Sequence, residues 1–242
     1  MPCILNIETS TRACSLALSL DGELVFNRIE GQANSHASLI GTYGWEAMEY
    51  VRNNNLKVNG VAISAGPGSY TGLRIGISEA KGLCYGLNVP LIAISSLKIL
   101  VSELFRLGFS SDEQESDRWY CPMIDARRME VYAALYDKDL KEIRTVQADI
   151  IEENSYAGYL AEHPVVFFGD GSGKCKDIIK SSQALFVDDI YPTAEAMIPL
   201  AEKAYSENEF VDIAYFEPFY LKEFQATVAK NKVININSEK QC

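Results

Sequence analysis

The first part of the chain alternates between short apolar runs and polar turns, at the spacing of β-strands. Cys3–Ile7 is a mainly apolar run of the kind found in buried strands, and Cys14–Leu20 alternates between apolar and polar positions. The dipeptide Asp21-Gly22 follows directly, and Asp-Gly between such runs is a strong hairpin signal. We therefore predict three consecutive strands in this part of the chain.

The same plan returns in residues 120–143. An apolar strand, an acidic residue with two arginines, a second strand, an Asp-rich turn and a third strand are predicted there. Placing Glu8 on Asp125 brings Asp21-Gly22 onto Lys138-Asp139 without a gap. This self-similarity indicates an internal repeat.

Each triplet of strands is followed by helical sequence, an apolar strand that ends in a glycine turn, and another helix. In the first copy the strand is Val61–Ala65 and the helix spans 71–87; in the second copy the strand begins at Val165 and the helix is predicted over Cys175–Ser181. Two such copies predict an α/β fold with two domains, each built on a mixed sheet.

A polar, helix-breaking segment, residues 109–118, separates the two copies, so we predict domains at 1–108 and 119–242. This duplicated layout resembles the RNase H-like superfamily of actin, Hsp70 and the sugar kinases, whose nucleotide lies in the cleft between the halves. The resemblance implies two tandem subdomains of that fold.

Composition narrows the classes of partner. Lys and Arg number 22 against 33 Asp and Glu, a net charge of −11, and no basic cluster is long enough for a phosphate track. The six cysteines show no C-x-x-C spacing, which favours reduced thiols. No apolar run approaches the ~20 residues of a membrane span, and the first residues lead into a strand, so we expect a cytoplasmic protein that binds no membrane.

A glycine-rich turn, GPGSYTGLRIG at 66–76, lies between a predicted strand and a predicted helix. That arrangement points backbone N–H groups at an anion. Gly72, however, is followed by Leu and Arg rather than by the Lys and Ser/Thr of a P-loop, and the glycines miss the dinucleotide spacing by one. We interpret the glycines as a tight turn, with Ser69 or Thr71 capping the helix; phosphate binding is the alternative.

Four segments resemble a single protein family. ILNIETST near residue 4, SAGPGSYTGLRIGISEAKGL at 64–83, IDARRMEVYAALY at 124–136 and FEPFYLKE at 216–223 are similar to the TsaB (YeaZ) family. The segments occur in order over nearly the whole chain, and 64–83 is the most specific of them.

The resemblance implies a function. TsaB proteins are partner subunits of TsaD in the bacterial synthesis of threonylcarbamoyladenosine beside the anticodon of tRNAs, and TsaE, an ATPase, joins the pair. TsaD carries the catalytic metal site, and TsaB is its non-catalytic paralogue. The resemblance thus implies no catalytic residues and no cofactor here, ATP and metal on the partner subunits, tRNA bound only through the complex, and a homodimer as one form of the isolated chain.

The histidines agree with a chain that lacks the metal site. TsaD-type proteins ligate metal with two histidines four residues apart on a helix. This chain has only His36 and His163, and neither has a Cys, Asp or Glu at helical ligand spacing. We expect His36 to begin the first helix, His163 to precede the strand at Val165, and no metal site.

Glu8 and Asp125 occupy the positions where, in the kinase-like superfamily, one acidic residue from each half faces the cleft. Their functional interpretation is a vestigial nucleotide cleft completed by Thr9, Thr11, Gly169, Asp170 and Gly171. The alternative is turn chemistry, in which the carboxylates bind nearby backbone N–H groups or Arg12 and Arg127. Many family members have Asp where Glu8 stands.

The two long helices carry more apolar surface than one sheet needs. In 36–51, Trp45 and Met48 lie outside the core stripe, and in 71–87 four glycines each cost up to ~1 kcal/mol relative to Ala. Close approach of a partner helix would offset that cost, and packing on the protein's own sheet is the alternative. Because TsaB proteins pair with TsaD through this surface, the resemblance implies a partner interface: Gly41, Trp45, Met48, Ile75, Ser78 and Gly82.

Two functions stay open from sequence alone. The first is a non-catalytic scaffold that dimerises with a TsaD-like subunit. The alternative is an active ATP-dependent kinase or ATPase of the actin-like superfamily, with Glu8 and Asp125 positioning the metal. A protease lacks support, because two isolated histidines cannot build a catalytic triad.

Overall fold

The computed structural model of the chain describes residues 1–31, 35–109 and 117–221. Its first sheet has five strands. The central strand and the two strands on one side of it are antiparallel to one another, and the central strand and the two strands on its other side are parallel. The strands are β1 (Cys3–Glu8), β2 (Cys14–Leu20), β3 (Glu23–Glu30), β4 (Gly60–Gly66) and β5 (Leu91–Ser95), in the order β3-β2-β1-β4-β5.

The second sheet repeats this topology. Its strands are β6 (Trp119–Asp125), β7 (Glu130–Tyr136), β8 (Glu142–Ile150), β9 (Val165–Phe168) and β10 (Ala184–Val187), in the order β10-β9-β6-β7-β8. The predicted duplication into two units, each built on a mixed sheet, is confirmed. Asp21 and Gly22 both have positive φ, as the predicted tight hairpin requires.

Five α-helices surround the sheets in the described ranges: α1 (His36–Asn53), α2 (Tyr70–Leu87), α3 (Ser96–Leu104), α4 (Ala157–Glu162) and α5 (Ala194–Ser206). The helix predicted over Cys175–Ser181 is wrong, since a single 3₁₀ turn at Gly173–Cys175 stands there. Only Cys175 and Ile179 of that stretch are buried, and so short a segment gains too little packing to offset helix nucleation. No helix of these ranges is both long and apolar enough to cross a membrane.

The first sheet is covered on both faces. Leu5 and Ile7 belong to the core beneath α1 and α2, whereas Ile4 packs with Met197 of α5 on the opposite face. Although β2 alternates between apolar and polar residues, six of its seven residues are buried. Its serines satisfy their hydrogen bonds from α5, because the Ala194 N–H donates to Ser15 Oγ at 2.9 Å.

Helix α5 therefore crosses from the second copy onto the first sheet. Ser19 Oγ donates to Glu202 Oε1 at 3.0 Å, and buried Glu103 of α3 accepts from the Thr193 hydroxyl at 2.8 Å. The two copies thus share a helical layer, α3 with α5. The boundary at 109–118 falls largely outside the described residues and stays a prediction.

Helix α2 begins in direct contact with the turn between β1 and β2. A Cβ atom at Gly68 would lie 2.3 Å from the carbonyl oxygen of Ser10, and one at Gly72 would lie 2.2 Å from that of Thr9. The Ser69 N–H donates to the same Ser10 oxygen at 2.6 Å, and the Ser69 hydroxyl accepts from the Gly72 N–H at 3.2 Å. The interpretation of a tight turn with Ser69 as cap is confirmed.

The four glycines of α2 fall into two classes. Gly72 and Gly76 pack against Thr9, so for them the observed reason is close approach to the protein's own fold. At Gly82 and Gly86 a Cβ atom would have no neighbouring atom within 4 Å, so nothing in the described chain explains the absence of a side chain there.

These two classes predict opposite effects of the same substitution. Gly72→Ala should lower the free energy of unfolding by about 2–4 kcal/mol, because the new methyl group meets backbone that cannot move away. Gly82→Ala should raise it by up to ~1 kcal/mol, since alanine is the better helix former. Urea unfolding of both variants beside the wild type measures the difference; equal effects would contradict the packing described.

Candidate functional site

The predicted interface residues lie on the outer face of α1 and α2. The Trp45 side chain is 60% exposed, Gly41, Ser78 and Gly82 are exposed, and Met48 and Ile75 are half-buried against the first core. Four of the six residues are therefore exposed and two are half-buried. That a partner covers them stays a prediction.

Sequence reasoning left Tyr85 out of this set. Its side chain is 86% exposed and stands one turn beyond Gly82 on α2. Helices α1 and α2 meet at Gly44, where a Cβ would lie 3.1 Å from the Glu79 carboxylate. An exposed Trp and an exposed Tyr thus flank a helix pair whose outward glycines are uncovered, an arrangement typical of a protein–protein contact.

The first group of predicted cleft residues is sealed in the protein. Glu8 and Thr9 have no exposed surface, and Thr11 is 5% exposed. Glu8 Oε1 accepts from the Ser10 N–H at 2.6 Å, as the turn-chemistry interpretation expects, while Glu8 Oε2 and the Thr9, Ser10 and Thr11 hydroxyls find no hydrogen-bond partner in the described chain. Burial raises the pKa of Glu8 to about 7.

The second group lies at the end of β6. Asp125 is exposed, and its carboxylate accepts from the Arg127 N–H at 3.1 Å and from the Lys174 ammonium. The Asp125 N–H in turn donates to Asp170 Oδ1 at 2.9 Å. Although Asp170 is exposed, partial desolvation raises the pKa of its carboxyl, and the hydrogen bond from the Asp125 N–H opposes this rise.

The glycines of this group serve the backbone. Gly169 has φ +99°, and a Cβ there would lie 2.4 Å from the Met123 carbonyl oxygen; one at Gly171 would lie 2.9 Å from the Ile124 carbonyl carbon. Lys174, which the sequence did not single out, also donates to two carbonyl oxygens of the β6–β7 turn, those of Arg128 and Glu130. The Lys174 ammonium thus ties Asp125 to this turn through three hydrogen bonds.

The structure therefore brings together Asp125, Gly169, Asp170 and Gly171, while Glu8 lies buried under its own turn. Both carboxylates make the contacts of turn residues, with backbone N–H groups as partners. Among the described residues, His, Cys, Asp and Glu form no group of three or more that could hold a metal ion. His36 begins α1 and His163 precedes β9, as predicted.

A further element escaped sequence reasoning, although its aromatic density was visible in FEPFY. Residues 208–221, here called the strap, leave α5, pair with β5 through Val211 and Leu91, and end on the β4–α2 turn. The Phe219 N–H donates to the Ala65 carbonyl at 2.8 Å. The Tyr220 ring lies 5.0 Å from that of Tyr70, and its hydroxyl accepts from Arg74 at 3.0 Å. The first core thus has an outer layer of α1, α2 and strap.

Comparison with known proteins gives the class first. The family model of TsaD, tRNA N6-adenosine threonylcarbamoyltransferase, matches residues 27–230. Two solved structures from Pseudomonas aeruginosa, YeaZ and an uncharacterized protein with similarity to peptidase YeaZ, superpose with TM-scores of 0.74 and 0.76 at 27% identity. The alignments cover 91% and 92% of this chain and all of theirs. The fold is that of the TsaD-related, actin-like class.

The particular family follows from a curated relative. The tRNA threonylcarbamoyladenosine biosynthesis protein TsaB of Escherichia coli K12 is 30% identical over 228 residues, which cover 90% of this chain and 94% of that protein. The chain belongs to the TsaB (YeaZ) family, and the resemblance inferred from its sequence motifs is confirmed.

The buried carboxyl of Glu8 predicts a pH-dependent stability. Its pKa is about 7 in the folded chain and 4.5 in the open reference state, so the folded state holds the proton more tightly between these values and stability falls as the pH rises through them. Relative to Glu8→Gln, the wild type should lose about 3 kcal/mol of unfolding free energy between pH 4.5 and 8.5. Urea titrations of both proteins across this range test it; parallel pH profiles would contradict it.

Proposed function

We propose that this chain is a non-catalytic subunit of the machinery that makes threonylcarbamoyladenosine in tRNA, and that it pairs through the α1–α2 face with a TsaD-like catalytic paralogue. The names of its TsaB relatives support the pathway, and the match to the TsaD family model supports a common fold for the two partners. The observation that carries the pairing is the exposed face itself, with exposed Trp45 on α1 and, on α2, exposed Tyr85 one turn beyond Gly82, which has open space around it.

The glycines make this face suited to another helix pair. A helix with a glycine at its surface lets a second backbone approach closely, and aromatic side chains beside the contact supply most of the buried area. At Gly82 and Gly41 a Cβ atom would have no atom of the described chain within 4 Å. Two α-helices of an actin-like partner would therefore meet α1 and α2 as a four-helix layer. In isolation, a second copy of this chain can occupy the same face.

The geometry of the two turns supports a non-catalytic role. Glu8 lacks the solvent access that a metal-positioning acid needs, and Asp125 is engaged by Lys174. We place ATP and metal on the partner subunits, a TsaD-like enzyme and a TsaE-like ATPase, in the cytoplasm. The net charge of −11 favours tRNA binding through the assembled complex rather than by this chain alone.

The pairing is tested with two matched glycine substitutions. Gly82→Arg should abolish co-purification with a TsaD-like partner, and with it tRNA modification in a reconstituted mixture, because a desolvated cation at a close helix contact costs several kcal/mol. Gly158→Arg is the control, since Gly158 is also an exposed helical glycine with open space around it, but lies on α4 of the second copy.

Thermal unfolding of both isolated variants must resemble that of the wild type for the comparison to hold. Loss of pairing with Gly82→Arg alone supports the interface. Retained pairing would remove α2 from the contact surface, and modification that proceeds at full rate without this chain would overturn the proposed function itself.

A further inference from the structure

Sequence reasoning left one charged residue out of the proposed interaction face. Glu79 of α2 lies one turn from Ile75 on one side and one turn from Gly82 on the other, so the three share one row of the helix surface. The Glu79 carboxylate reaches α1, where its Oε1 would lie 3.1 Å from a Cβ atom at Gly44. This row and the row of α1 around Gly44 are here called the seam: Gly41, Gly44, Met48, Ile75, Glu79 and Gly82.

Glu79 lies in the seam without a partner. Its side chain is half-buried, and the missing side chain of Gly44 makes room for its carboxylate. In the part of the chain that the structure describes, this carboxylate forms no salt bridge and no hydrogen bond. A partly desolvated carboxylate without a cation is unfavourable. The stability of the free chain therefore does not explain a charge at this position.

The cations of the two helices are engaged elsewhere. Arg74 and Lys81 of α2 donate to the strap, Arg74 to the Tyr220 hydroxyl at 3.0 Å and Lys81 to the Ala214 carbonyl oxygen at 3.4 Å. Arg52 of α1 donates to a carbonyl oxygen of its own helix at 3.3 Å. A second surface that closes over the seam must therefore bring its own cation to Glu79.

Symmetry makes a second copy of this chain a poor source of that cation. A two-fold contact places the same surface on both sides. Each Glu79 would then face a seam that holds another carboxylate and whose helix cations are engaged elsewhere. Like charges across a contact disfavour association, whereas a cation opposite the carboxylate favours it.

We propose that Glu79 is a specificity-determining residue of the α1–α2 face, which receives a basic side chain, arginine or lysine, of the TsaD-like partner and disfavours a second copy of this chain. The inference rests on the proposed function, because it assigns the chemistry of the contact through which the two subunits pair. Gly44 seats the carboxylate between the helices, and the exposed glycines beside it, Gly41 and Gly82, leave the partner's side chain access to it.

Glu79→Gln tests the contact, because it removes the charge and keeps the shape of the side chain. Loss of one member of a desolvated ion pair acts mainly on dissociation. The dissociation rate of the complex with a TsaD-like subunit should rise about 30-fold, while the association rate stays within about twofold of the wild-type value. Biolayer interferometry on the immobilised TsaD-like subunit measures both rates.

Glu49→Gln is the matched control. Glu49 is exposed on α1, one turn from Trp45 and outside the seam. The same charge change there should alter Kd by less than about threefold, and through the association rate. The isolated Glu79→Gln chain should melt at or above the Tm of the wild type, because it loses an unpaired carboxylate. A lower Tm would show that Glu79 supports the fold, and would overturn the proposal.

Self-association tests the discrimination against a second copy. In sedimentation velocity runs on the isolated chains, Glu79→Gln should lower the homodimer Kd about tenfold, because the like-charge repulsion is removed. Unchanged self-association would overturn this part of the proposal. A dissociation rate from the TsaD-like subunit that is unchanged, or changed no more than by Glu49→Gln, would overturn the assignment of Glu79 and leave the proposed function intact. A wild-type chain that binds no TsaD-like subunit would overturn both.

Discussion

The architecture of the first half depends on the contact between the start of α2 and the turn that follows β1. Backbone meets backbone there, with Gly68 and Gly72 against the carbonyl oxygens of Ser10 and Thr9. Any side chain at these glycines would push the helix away from the sheet, and the polar groups of the turn would be opened to water. The same contact buries Glu8 and seats α2 over β1 and β4. The burial of Glu8 and the position of α2 are thus two results of one packing constraint.

That constraint separates the inner side of α2 from its outer side. Gly72 and Gly76 are required by the fold, whereas Gly82 and Gly86 have open space around them and cost helix stability without any compensating contact in the described chain. A helix that keeps such residues on an exposed face, with exposed Tyr85 between them, is suited to the close approach of a second backbone. The partner proposed for this face is a TsaD-like subunit.

Much of this could be predicted from the sequence, because the strongest patterns are local. The Asp21-Gly22 hairpin, the duplicated triplets of strands and the two long helices follow from periodicity and turn chemistry. The sequence could not show which glycines of GPGSYTGLRIG meet the protein's own backbone, since Thr9 and Gly72 are distant in the chain. Nor could it show that α5 would cover the first sheet and satisfy Ser15. The short turn at Gly173–Cys175 was missed because a few apolar residues resemble a helix when burial is unknown, and the strap was missed because its pairing with β5 and Ala65 is entirely tertiary.

The most direct test of the account is hydrogen-exchange mass spectrometry of this chain, alone and mixed with a TsaD-like subunit. Exchange reports which backbone amides become protected when a surface is covered. The account predicts new protection in α1 and α2, with the Glu8 and Asp125 turns unchanged. Protection confined to those two turns, or none at all under conditions where the proteins co-elute, would contradict the claim that α2 is held by its inner glycines and pairs through its outer ones.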